Sequence, residues 1–139
     1  MKTYNQLVRL HEHRLHERQK AVADLEAEAG EMRTKVEELE AQMAMEDVRA
    51  QEGELGAATF VSYFRRASEK RRALSDALNA VARNILTARL ELKRAFDELK
   101  RTETLRDKMS AEIEDAARRA EQAELDEVAL QQHRRGSAG

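Results

Sequence analysis

Apolar residues recur at seven-residue intervals along most of this chain. In the first third one row runs Val8, Leu15, Val22, Ala29, Val36, Met43 and Ala50. A companion row, three positions on, supplies Leu25, Met32 and Leu39, with His11 and Arg18 before them. Two apolar rows at heptad spacing make the seam of a helix that packs along another helix, well formed over about 22–43 and weaker before it. Thr3, with Gln6 three residues later, suits a capping box at the start.

The rhythm fails at 47–58, EDVRAQEGELGA, where Gly53 and Gly56 weaken a helix. Thr59 is a suitable N-cap for a second helix. Beyond it one row reads Phe60, Ala67, Leu74, Val81, Ala88, Ala95, Thr102, Met109, Ala116, Ala123, Leu130. The other reads Phe64, Arg71, Leu78, Ile85, Leu92, Leu99, Arg106, Ile113, Ala120, Glu127. Acid-to-base pairs four apart support this helix: Asp97 with Arg101, Glu114 with Arg118, Asp115 with Arg119. His133, Arg134 and Arg135 before Gly136 form a basic last turn and a stop. The pattern thus predicts one coiled-coil domain over 1–139: a helix over about 3–52, a hinge over about 53–58, a helix over about 59–134, and a flexible tail at 136–139.

The partner of the second helix is either the first helix, folded back, or another copy of the chain. Charge decides between them. The stretch 24–54 is acidic, with Asp24, Glu26, Glu28, Glu31, Glu37, Glu38, Glu40, Glu46, Asp47, Glu52 and Glu54. If the chain folds back at 55–56, this stretch faces Arg65, Arg66, Lys70, Arg71, Arg72 and Arg83. A parallel dimer instead sets like charges side by side, at a cost in stability. The expected fold is therefore all-α, an antiparallel two-helix coiled-coil hairpin. In that register residue 2 lies opposite residue 109, so the second helix overhangs. At 1.5 Å per residue the hairpin is roughly 75 Å long and the overhang about 35 Å. Alanines at 116, 120 and 123 fill the seam there.

Composition agrees with helices and narrows the function. Of 139 residues 41% are hydrophobic and 37% charged, with no proline and five glycines, too few turn-formers for a compact globule. A net charge of −2 sets up no overall basic field toward nucleic acid. Without cysteine there is neither a disulfide framework nor a thiolate metal site. No stretch approaches the ~18 apolar residues of a membrane span, and MKTYNQLVRLHEHRLHER has no signal-peptide core. These features predict a soluble, cytoplasmic helical protein.

Candidate chemistry is sparse. His11, His13 and His16 stand 2, 3 and 5 apart, whereas a helical zinc pair needs i, i+4. They read as solvated histidines, with no metal and no cofactor. FRRASEKRR, residues 64–72, resembles a nucleic-acid patch, but the facing acidic stretch makes an internal charge match the better account. No phosphate loop, no Ser/His/Asp set and no concave pocket is evident, which argues against an enzyme. Arg71, Arg106 and Glu127 occupy seam positions, where charges commonly set register. Arg71 faces the neighbourhood of Glu40, whereas Glu127 lies in the overhang, beyond any intramolecular partner.

The unequal antiparallel helices, the aromatic cluster Phe60, Tyr63, Phe64 and the terminal Glu121, Gln122, Asp126, Glu127 together resemble the flagellar export protein FliJ and its type III secretion relatives. The resemblance covers nearly the whole chain. It implies a non-catalytic stalk of the flagellar protein export apparatus, cytoplasmic and peripheral to the inner membrane at the flagellar base. Its open end, with Glu121, Gln122, Asp126 and Glu127, would enter the hexameric export ATPase FliI and promote ring assembly. Toward the hinge, the outward strip Arg66, Lys70, Ala73 and Ala77 would contact the export gate protein FlhA. FliH and substrate chaperones are further implied partners; nucleic acid is not. The competing expectations are a self-associating adaptor coiled coil and the equivalent stalk of a virulence injectisome.

Overall fold

The computed structural model describes residues 1–138, apart from the side chains of 54–56 and 138. It consists of two α-helices, α1 (Lys2–Ala50) and α2 (Glu54–Ala138). No strand occurs among the described residues. The helices pack against each other in antiparallel sense, and the fold is an all-α coiled-coil hairpin whose second helix is the longer.

The helix ends depart from the sequence expectation. α1 starts at Lys2, so Thr3 lies inside it, and Asn5 N donates to the Met1 carbonyl at 3.0 Å. It stops at Ala50, where Gln51 N still reaches the Asp47 carbonyl at 3.3 Å and Glu52 N the Arg49 carbonyl at 3.2 Å. The break is therefore 51–53, shorter than the expected hinge at 53–58; the side chains of 54–56, Gly56 included, lie outside the described set. Thr59 is interior to α2 rather than its N-cap. Gly136 also lies within α2, which runs through most of the expected tail, while Gly139 is outside the described residues. A helical glycine costs about 1 kcal/mol relative to alanine, too little to end a long helix by itself.

By its contacts the chain divides into two units: Arg14–Ala95, and Met1–His13 with the chain from Phe96 onward. In the first, Ala29, Val81 and Ile85 are buried together, with Leu25, Met32 and Leu78 packed around them. Nearer the turn Leu39, Met43 and Ala67 form a second cluster, flanked by Tyr63 and Leu74. Burying a Val, Leu or Ile side chain contributes roughly 1.5–3 kcal/mol, and these clusters carry that gain as a thin seam. Small Ala29 (1% exposed) and Ala67 (5%) let the helices approach closely. Across this unit Arg18 Nη1 meets Glu91 Oε2 at 2.7 Å and Arg89 Nη2 meets Glu26 Oε1 at 2.7 Å. Both pairs lie within a few residues of the register drawn from charge.

In the other unit Val8 and Leu99 are buried, and Tyr4, His11, Thr102, Arg106 and Met109 are half-buried. From Ala111 to Ser137 every residue is exposed. The heptad rows continue there, but nothing among the described residues covers them.

Candidate partner-binding surfaces

Two stretches of α2 carry the residues expected to meet partners. Near the turn, one of the two expected rows holds (Phe60, Ala67, Leu74), and the other (Phe64, Arg71) does not. Phe60 and Tyr63 are half-buried and Ala67 is buried, whereas Phe64 and Arg71 are exposed. In a 3.6-residue helix, positions three and four ahead of Phe60 both lie near its face. The side chains of Leu39 and Met43 meet the Tyr63 side, so Phe64 is left 46% exposed, its ring centroid 5.5 Å from that of Phe60. Arg71 is thus a surface residue rather than a seam charge, although it lines the same groove as Glu40, near which it was expected to lie.

This choice opens grooves on both flanks of the seam. On one flank Glu40, Met43, Ala44, Asp47, Phe60, Phe64 and Arg71 line an open groove of about 340 Å³, with both apolar and charged side chains. Sequence reasoning missed the contributions of Met43, Ala44 and Asp47; Tyr63, a second aromatic able to fill the seam, was the signal that Phe64 was spare. On the other flank Arg66 shares a groove with Glu46, Arg49, Ala50, Thr59, Phe60 and Tyr63. Lys70 lines another with Lys35, Glu38, Leu39, Gln42 and Leu74. Arg66, Lys70 and Ala73 are exposed, but Ala77 is half-buried. The strip Arg66, Lys70, Ala73, Ala77 therefore runs along the shoulder of the helix pair, with its last member turned toward the seam. The basic run shares these grooves with acids (Glu38, Glu40, Glu46, Asp47) and with bases (Lys35, Arg49) of α1.

At the far end Glu121, Gln122, Asp126 and Glu127 are all exposed. Gln122 Nε2 donates to Asp126 Oδ1 at 3.0 Å, one turn along the helix. Arg118 pairs with Asp115, three residues back, rather than with the expected Glu114. Ile113 (50% exposed) and Leu130 (50%) stand on the uncovered seam, and Leu125 and Val128 beside it.

The histidines separate in the structure. His16 is exposed, but His11 sits in the seam with its side chain 16% exposed and Nδ1 3.7 Å from Glu98 Oε2, so it is not the solvated residue expected. No group of three His, Asp or Glu among the described residues is placed to hold a metal ion. No helix among them is long and apolar enough to cross a membrane.

These features define a two-helix antiparallel coiled-coil protein with an uncovered helical end. The family model described as "Flagellar FliJ protein" matches residues 1–138. The chain belongs to the FliJ family and is a component of the flagellar export apparatus, a family of structural, non-enzymatic export proteins. No curated protein and no solved structure matches it.

Proposed function

We propose that this chain is the stalk of the export ATPase. Its uncovered α2 end enters the FliI hexamer and promotes its activity, with Glu121, Gln122, Asp126 and Glu127 among the contacting residues. One observation supports this most directly: every residue from 111 to 137 is exposed, and alanines at 116, 120 and 123 occupy the middle of the seam there. A narrow helix with small apolar residues and acids fits inside a ring without strong adhesion to any one subunit. Near the turn the chain contacts the export gate FlhA through the shoulder formed by Arg66, Lys70 and Ala73, with Ala77 contributing little because it is half-buried. The protein then works in the cytoplasm, peripheral to the inner membrane, alongside FliH and substrate chaperones.

The test is ATP hydrolysis by purified FliI with and without this protein. The full chain raises the rate, and a variant lacking 118–139 does not. Full stimulation by the shortened chain overturns the assignment of this end.

A further inference from the structure

The uncovered segment of α2 carries a complete seam of its own. Ile113, Ala116, Ala120, Ala123, Glu127 and Leu130 lie on one face at alternating spacings of three and four, and all are exposed. We infer that this face binds a second copy of the chain, antiparallel and tail to tail, through residues 113–130.

Seam rows and flanking charges both match in this arrangement. Antiparallel coiled coils oppose unlike seam rows, and only a few registers do so here. One of them sets Ile113 against Leu130 of the second copy, Ala120 against Ala123, and Ala116 against Glu127. Two-fold symmetry repeats each contact, so an alanine centre is closed at both ends by an Ile–Leu pair. Alanines let helix backbones approach to the short end of the usual 8–10 Å range. The flanking positions then pair by charge: Arg119 lies beside Asp126 of the second copy, and Glu112 beside His133, each twice. Glu127 falls opposite an alanine whose neighbour one turn on is Arg119. A parallel in-register pair would instead press Glu127 against its own copy. The register also fits the space, since its layers fall within the stretch that α1 leaves uncovered.

Ile113 and Leu130, each 50% exposed, are the apolar area that the association removes from water. With alanine between them the interface is thin, so the dimer is reversible. It forms without any other protein, and its test is independent of the stalk reading.

Sedimentation of the full chain over a concentration series tests this. The wild-type chain is expected to pass from monomer to dimer as concentration rises. Arg119→Asp and Asp126→Arg each set like charges together twice and weaken association about tenfold or more. The double variant restores the pair and returns the affinity toward wild type. These positions are exposed in the monomer, and an unchanged circular dichroism spectrum verifies that each variant is folded. A spin label at Gln132→Cys measures orientation: about 30 Å between labels in the antiparallel dimer, against about 15 Å or less in a parallel one. A chain that stays monomeric at every concentration, a swap that fails to restore association, or the short label distance overturns the proposal.

Discussion

Ala29 shows how little room the seam allows. It is 1% exposed and packed with Val81 and Ile85. No large side chain is fully buried among the described residues, so stability depends on close approach rather than on a thick interior. Replacing Ala29 with leucine adds three carbons where there is no void, and overpacking of this kind costs about 1–3 kcal/mol. Urea denaturation of Ala29→Leu is expected to show a lower midpoint by that amount. An unchanged midpoint means that the helices part freely at this layer. The ion pairs of Arg18 with Glu91 and of Arg89 with Glu26 lie at the edge of the seam, half in water. Exposed pairs of this kind contribute about 0.2–1 kcal/mol, so they tune register more than they hold the fold.

At the scale of an element, α1 carries a glycine at an interior position. Gly30 lies one residue from Ala29, it has no positive φ, and a Cβ built on it meets nothing within 4 Å. The conformation is plain helix, and only the entropy of the unfolded chain sets glycine apart there. Gly30→Ala is therefore expected to stabilise the protein by about 0.5–1 kcal/mol, read as a raised urea midpoint. A loss of stability would show that the backbone at this position needs the freedom of glycine. The same energetics explain the helix ends. One glycine costs too little to stop a long helix, so α2 passes through Gly136, and the break between the helices falls at 51–53.

For the whole molecule, the question is which residues the fold needs. Every residue from 111 to 137 is exposed, so this stretch contributes helix without contributing core. Truncation tolerance follows burial. Removing 115–139 is expected to lower the helical circular dichroism signal while leaving the urea midpoint of the remaining chain unmoved at low protein concentration. A marked drop in midpoint would mean that the tail packs on the rest of the chain. Function separates from stability in the same way: the proposed ATPase contact and the proposed self-association both use residues that the fold does not.

Much of this was legible in the sequence because a heptad is a strong, repeated signal. The α1 rows named from spacing, from Val8 to Ala50 and from Leu25 to Leu39, are the positions that the structure buries or half-buries, and so are the α2 rows from Leu78 to Met109. The charge pattern supplied direction and register, and register supplied the uncovered end on which Glu121, Gln122, Asp126 and Glu127 stand. Tertiary structure alone decided between Tyr63 and Phe64, turned Ala77 inward, and brought His11 beside Glu98. Positions three and four along a helix lie about 60° to one side and 40° to the other of the starting residue, so period cannot choose between them. The facing helix chooses, through the side chains it presents, and at the turn Leu39 and Met43 select Tyr63 and leave Phe64 and Arg71 at the surface.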